Sequence, residues 1–107
     1  MISISSLGHL AANPVERDTS TGGKFVAFPL ATNSKDGKTT IYLSCNAFGS
    51  TAKTIMQYLK KGAQILIYGT MYELTTYKSK TDDTIKPQMS VTIDRFEFCS
   101  NKDKTDN

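Results

Sequence analysis

Hydrophobic and polar residues alternate along several stretches of the chain with the two-residue spacing of β-strands. Residues 39–48 show this most clearly, with an apolar side formed by Ile41, Leu43, Cys45 and Ala47. The opposite side carries Tyr42, Ser44, Asn46 and Phe48. Solvated strand faces favour polar residues such as Thr, Lys and Glu, so the rings of Tyr42 and Phe48 indicate one of two arrangements. Either they stack against a flat ligand, or a second layer of protein covers them.

The same alternation predicts four more strands, at residues 2–10, 25–33, 65–72 and 89–98. Gly8 predicts a bend in the first of them, of the kind that turns a corner in a small barrel. Pro29 has no backbone N–H to donate, so it predicts an edge position or a bulge in the second strand. The alternation slips between Ile93 and Phe96, which indicates a bulge in the last strand.

One amphipathic helix is predicted after residue 48. Gly49-Ser50-Thr51 predicts a strand end and a helix N-cap, and Lys60-Lys61-Gly62 predicts the C-terminal end of the helix. Between them, apolar residues recur at helical spacing, at Ala52, Ile55, Met56 and Leu59. Tyr58 falls beside Ile55 and Leu59, so it is expected in the core or against an end of the sheet structure.

The order of elements is three strands, one helix and two strands, separated by polar loops at 15–24, 34–38 and 75–86. This is the order of the OB-fold, an all-β, five-stranded Greek-key barrel with one helix between strands 3 and 4. OB-folds bind oligonucleotides or oligosaccharides on their second and third strands, which would include Tyr42 and Phe48. We expect a single domain at residues 1–99 and a short polar tail at 100–107.

Composition fits one small domain of 107 residues and 11.8 kDa. A formal net charge of +3 permits an anionic partner without requiring one, and most lysines fall in predicted loops. No apolar run approaches the roughly 18 residues of a membrane span, so we expect a cytoplasmic protein with no membrane partner. Cys45 and Cys99 lack metal-ligand spacing and are expected as free thiols.

Catalytic chemistry finds little support in the sequence. His9 is the only histidine, and no acid or nucleophile is positioned beside it by sequence spacing. The chain has no phosphate-cradling glycine loop and no cluster of metal ligands. We therefore expect a protein that is not an enzyme, with no cofactor and no metal.

Short motifs carry a more specific signal. In chain order they are Gly8-His9-Leu10, Asn13-Pro14 with Arg17, Gly22-Gly23, Leu30-Ala31-Thr32, Ala47-Phe48-Gly49, Tyr58-Leu59-Lys60-Lys61-Gly62 and Gly69. In this order they resemble the bacterial-type single-stranded DNA-binding proteins, from about residue 4 to about residue 98. That family's domains are OB-folds that associate, usually as tetramers, and bind single-stranded DNA through base stacking and phosphate contacts.

The resemblance implies a set of binding residues. Tyr42 and Phe48 match stacking aromatics of the family, and Tyr77 lies within one residue of a third. Arg17 and Lys61 match basic positions associated with DNA, and the loop residues Lys24 and Lys78 complete the predicted phosphate contacts. Leu66 and Tyr68 form an outward apolar stripe on the fourth predicted strand, which is typical of a subunit interface. Tyr72 continues that stripe, and its role stays open.

The chain also departs from the family pattern. The loop at 34–38 is short and has no aromatic residue, and the chain has no Trp. Residues 100–107 lack the acidic, Phe-ending tip by which relatives engage host proteins. They indicate either a tailless variant from a phage or mobile element, or a shortened chain. Host partners that recognise the tip are accordingly not expected.

Together these features predict a cytoplasmic, nucleoid-associated homo-oligomer, a tetramer or a dimer. Its partner would be single-stranded DNA, bound without sequence preference and protected during replication, recombination or repair. The alternative is an OB-fold protein-interaction module of the primosome-adaptor type.

Overall fold

The computed structural model describes residues 1–78 and 83–99, so the predicted tail at 100–107 lies outside the described residues. The described part contains six strands and one helix, in the order β1 (Ile2–Leu10), β2 (Val15–Asp18), β3 (Lys24–Asn33), β4 (Thr40–Ala47), α1 (Gly49–Tyr58), β5 (Gln64–Lys78) and β6 (Ile85–Phe98). The five predicted strands correspond to β1, β3, β4, β5 and β6. The all-β class, with one helix between the third and fourth of these, is confirmed.

Strand pairing closes the sheet on itself. The hydrogen-bonded order is β1-β5-β6-β4-β3, and β3 pairs back onto β1 through His9 opposite Ala31 and Leu10 opposite Leu30. The β4–β6 pairing is parallel, and the other four are antiparallel. These pairings make the five-stranded barrel of an OB-fold.

Gly8 lies where β1 approaches β3 to close the barrel. A Cβ atom at this position would lie 2.5 Å from the carbonyl oxygen of Ala31 and 3.0 Å from Cγ of Leu30. Only a residue without a side chain allows so close a backbone approach. The predicted corner at Gly8 is therefore a point of contact between two strands.

Pro29 lies at a local edge of β3. On one side β3 pairs with β2 up to Ala27 and with β1 from Leu30 onward. The carbonyl of Pro29 points to this side, where it accepts a hydrogen bond of 2.9 Å from the N–H of Ala11. In a strand the N–H of a residue points to the same side as its carbonyl, so the missing donor of Pro29 falls in the gap between the two pairings.

The hydrophobic core fills the interior of the barrel and the space between the barrel and α1. Its fully buried side chains include Leu10, Leu30, Cys45, Ile55, Ile65, Ile67 and Val91. On β4 the alternation is confirmed, because Leu43, Cys45 and Ala47 are buried. The prediction that Ile41 is buried on the same side is wrong, because 40% of this residue is exposed near the start of the strand.

Two of the predicted loops contain strands. Residues 15–18 form β2, because the turn at Thr19, where its N–H donates to Gly23 at 2.8 Å, folds them back onto β3. Residues 75–78 and 85–86 extend β5 and β6 into a long hairpin, with Thr75 opposite Gln88 and Tyr77 opposite Lys86. All of β2 and most of this hairpin are exposed, so neither carries the alternation that marks a half-buried strand.

The helix begins and ends earlier in the chain than predicted. Phe48 occupies its N-cap position without a side-chain capping bond, and the helix ends at Tyr58, with Leu59 as its C-cap. Gly62 instead serves the turn into β5, where it has φ of 92° and donates its N–H to the carbonyl of Leu10 at 2.8 Å. Tyr58 is 62% exposed, so of its two predicted positions the one in the core is wrong. Its ring lies edge-on to that of Phe98 on β6, with 6.2 Å between the centroids.

The predicted bulge in the last strand is confirmed. Tyr68 pairs with Arg95 and Gly69 pairs with Ile93, which leaves Asp94 as the extra residue on β6. A second register shift follows between Met71 and Glu73, so Tyr72 is the extra residue on β5 there.

Candidate nucleic-acid interface

A cavity of about 420 Å³ lies on the outward face of β2, β3 and β4. Its floor consists of small side chains, Ala27, Pro29 and Ser44, and aromatic rings stand at its ends, Phe25 and Tyr42. Other lining residues are Ala12, Asn13, Val15, Arg17, Phe28, Leu43, Asn46 and Gln88. A small-residue floor between rings leaves room for a flat group to lie on the sheet.

Strand register explains why these residues share one face. Pro29 pairs with Ser44 and Ala27 pairs with Asn46, so alternate residues of β3 and β4 point outward together. Their neighbours Phe28 and Leu43 are largely buried beneath them. Tyr42 and Phe48 are 44% and 48% exposed, and within the described chain no second layer of protein covers these rings.

Phe25 was missed by sequence reasoning. It lies on the outward side of β3, opposite Arg17 on β2. Its ring centroid is 5.6 Å from that of Phe48, with the two planes tilted by 31°. The outward alternation of Phe25, Ala27 and Pro29 was the available signal, but its meaning depends on the pairing of β3 with β4.

Tyr72, whose role was open, belongs to the same side of the molecule. The side-chain amide of Asn46 donates a hydrogen bond to the hydroxyl of Tyr72. Tyr72 remains 54% exposed, and it is the extra residue at the β5 register shift. This bond connects the cavity on β4 with the long β5–β6 hairpin.

The predicted basic contacts lie in different surroundings. Arg17 lines the cavity. Lys24 instead pairs with Asp18 at 3.4 Å and with Glu16 at 3.7 Å, and its hydrogen bond and charge interaction with Asp18 raise its pKa. Lys78 pairs with Asp83 at 3.0 Å. Ion pairs this exposed are weak, so a phosphate could compete for either lysine.

Lys61 and Tyr77 do not line the cavity. Lys61 is exposed, and its backbone N–H donates to Oδ1 of Asn13 at 2.7 Å, which places it next to a lining residue. Tyr77 is half-buried on the β5–β6 hairpin, opposite Lys86. Of the predicted residues, Tyr42 and Arg17 thus line the cavity. Phe48 adjoins it through its ring contact with Phe25, and Lys61 lies at its border through Asn13. Lys24, Lys78 and Tyr77 are separate.

The predicted interface residues lie on β5, whose outward face is shared with β1 and β6. Leu66 pairs with Leu7 on β1, which is 51% exposed. The guanidinium of Arg95 lies 3.8 Å from the ring centroid of Tyr68 and pairs with Glu97 at 3.3 Å. A cation over the ring makes this surface amphipathic, with apolar Leu7 and Leu66 beside a charged group.

The described residues offer neither a metal-binding cluster nor a membrane-spanning helix. Residues 1–78 and 83–99 contain no group of three or more His, Cys, Asp or Glu that could hold a metal ion. Among the same residues, no helix has the length and apolar character needed to cross a membrane.

Comparison with known sequences defines the family. The sequence model of the "Single-strand binding protein family" matches residues 1–99. The chain therefore belongs to the single-strand binding protein family, as the motifs indicated.

Individual relatives carry related names. The chain is 31% identical over 102 residues to a "Single-stranded DNA-binding protein" of Chlamydia trachomatis, covering 94% of this chain and 64% of that protein. It is 34% identical over 94 residues to a protein of the same name from Clostridium perfringens, covering 86% of this chain and 61% of the relative. The chain thus spans less than two thirds of the length of these relatives.

A solved structure supports the fold. The small single-stranded DNA-binding protein from Streptomyces coelicolor superposes with a TM-score of 0.71, covering 92% of this chain and 94% of that one. Sequence identity between the two is 19%, so this likeness concerns the fold.

Proposed function

We propose that this chain binds single-stranded DNA without sequence preference and protects it during replication, recombination or repair. The observation that carries the proposal is the cavity on β2, β3 and β4, where aromatic rings and Arg17 surround a floor of small residues. The names of the relatives support the same ligand. Binding without catalysis is also what the description of the family implies.

The mechanism combines stacking with charge. Every base has a π-face, so the rings of Tyr42 and Phe48 accept any of them, each contributing about 1–3 kcal/mol. Arg17 neutralises a phosphate beside the cavity, and Lys61 extends the positive border past Asn13. Duplex DNA keeps its bases stacked on each other, so the same rings discriminate against it.

The proposal extends to assembly and location. Residues 2–8 of β1 pair with β5 along one edge of the strand. Along its opposite edge, β1 pairs with β3 only at His9 and Leu10, so residues 2–8 have no partner strand there. This open edge, beside the apolar surface of Leu7 and Leu66, supports a homo-oligomer, either a tetramer or a dimer. We place the oligomer in the cytoplasm, on the single strands of the nucleoid.

A fluorescence titration tests the proposal. Tyr42 lines the cavity and Tyr72 borders it, so saturating oligo-dT should quench tyrosine emission. Affinity should be similar for oligo-dC, should fall as salt concentration rises, and should be much lower for a duplex of equal length. A lack of saturable binding at low salt would contradict the proposal and would favour the protein-interaction module.

A further inference from the structure

Phe25 lies at one end of the cavity, between Arg17 and Phe48, which are two of the predicted binding residues. Across the β2–β3 ladder it faces Arg17, and its ring contacts that of Phe48. Phe25 is only half-buried, and it lines the cavity itself. None of the motifs that identify the family includes it.

The two rings are too close to hold a base between them. A base sandwiched by two rings needs about 7 Å between them, since each van der Waals contact takes about 3.5 Å. The centroids are 5.6 Å apart and the planes are tilted by only 31°. Phe25 and Phe48 therefore already contact each other, and a base cannot enter between them.

Backbone pairing holds this ring pair in place. Val26 pairs with Ala47, so the residues that adjoin Phe25 and Phe48 are held by the β3–β4 ladder. Both anchoring side chains are buried, Val26 at 2% exposure and Ala47 at 0%. Phe48 also begins α1 as its N-cap residue, which restricts its backbone from the other side. A ring pair anchored in this way loses little conformational freedom when a ligand stacks on it.

We propose that Phe25 and Phe48 form a composite stacking platform for single-stranded DNA, with Arg17 binding the phosphate beside it. The inference rests on the proposed function and adds Phe25 to the binding residues. Each ring supports the other, so losing either one removes part of the contribution of both. The platform adds nonpolar contact area without base-specific hydrogen bonds, which suits binding without sequence preference.

The test is a double-mutant cycle with leucine replacements, which keep an apolar side chain and remove the ring. Phe25→Leu and Phe48→Leu should each lower the affinity for oligo-dT about 5- to 100-fold. The double variant should lose less than the product of the two single losses, because the rings act as one unit. Phe25→Tyr keeps the ring and should bind close to the wild-type level.

Salt dependence separates the ring from the charge. Phe25→Leu should leave the slope of log affinity against log salt unchanged, because no phosphate contact is lost. Arg17→Gln should make that slope shallower by about one unit. Tyr58→Leu is the matched control, since Tyr58 is an exposed ring outside the cavity, and it should bind like the wild type.

Three results would overturn the inference. They are wild-type affinity in Phe25→Leu, losses that multiply in the double variant, and equal losses in Phe25→Tyr and Phe25→Leu. If Phe25→Leu does not fold, NMR of the wild type decides: the ring signals of Phe25 should shift on adding oligo-dT while those of Tyr58 stay in place. Failure of the wild type to bind oligo-dT would instead overturn the proposed function itself.

Discussion

At the residue scale, Tyr42 is a side chain that we expect to matter for binding and little for folding. Its ring is 44% exposed at the end of the cavity, and its outward neighbours are small. We predict that Tyr42→Ala weakens single-stranded DNA binding by about 1–3 kcal/mol through lost stacking. The free energy of unfolding should fall by about 1 kcal/mol or less, the range of strand propensity.

Titration with oligo-dT and thermal unfolding by circular dichroism measure these two quantities. Tyr58→Ala is the control, since it removes an exposed ring that does not line the cavity. Unfolding of Tyr42→Ala, or equal binding losses in both variants, would show that the assignment of the cavity is wrong.

Cys45 illustrates the opposite case, a side chain defined by burial. It is fully buried, and desolvation raises its pKa from the usual 9.0 to about 12. The native thiol stays protonated where the unfolded thiol ionises, so this group lowers the free energy of unfolding as the pH rises from 9.0 to about 12. Thiolate is the reactive form, so Cys45 should be inert in the native protein.

Alkylation at pH 8 followed by mass spectrometry tests this prediction. Cys99 is only half-buried and should be modified first, whereas Cys45 should be modified only after unfolding. Rapid modification of Cys45 in the native state would mean that its strand opens readily.

At the scale of elements, the closure of the barrel depends on Gly8. A Cβ there would meet the backbone carbonyl of Ala31 at 2.5 Å, and a paired strand cannot easily move away. We predict that Gly8→Ala lowers the free energy of unfolding by about 1–3 kcal/mol, as overpacking does. Urea unfolding measures the change.

Gly23→Ala is the matched control for this substitution. The nearest atom to a Cβ at Gly23 is the hydroxyl of Thr19 at 3.4 Å, and no backbone atom lies within 4 Å. The control should be close to neutral. Equal stability of both variants would show that β1 can separate from β3 without cost.

Elements with one buried face were predictable from sequence, and those exposed on both faces were not. The alternation from Leu43 to Ala47 identified β4 and the outward position of Tyr42, because burial imposes a two-residue period. No such period marks β2, whose four residues are all exposed, so a turn and a partner strand define it. Phe25 was missed for a related reason, since its contact with Phe48 exists only in the paired sheet.

The helix ends were mispredicted because local signals competed with the packing of the whole domain. Gly62 has the positive φ of a helix C-cap, but it satisfies the carbonyl of Leu10 on β1 and not a carbonyl of α1. Leu59 is buried and has the extended conformation of a C-cap, so the helix ends at Tyr58. The chain thus leaves the helix as soon as its last apolar residue reaches the core.

At the scale of the whole molecule, the two outward faces of the barrel differ in chemistry. The β2–β4 face carries the cavity with Arg17, and the β1–β5–β6 face carries Leu7, Leu66 and Tyr68. In the proposed function, subunits would assemble through one face while the other stays open to DNA. Strand pairing along the free edge of β1 would extend the second face across two subunits.

Leu66→Asp tests this division of faces. A carboxylate at Leu66 would have to be desolvated in an interface and would lie beside Glu97, its neighbour across the β5–β6 ladder. We predict a shift toward smaller species in light scattering at micromolar concentration. A short oligo-dT should still quench the tyrosine fluorescence of these smaller species, because the cavity lies on the other face. Leu74→Asp is the control on the same strand, since Leu74 is 64% exposed on the hairpin, away from Leu7. A monomeric wild type, or dissociation by both variants alike, would contradict an interface centred on Leu66.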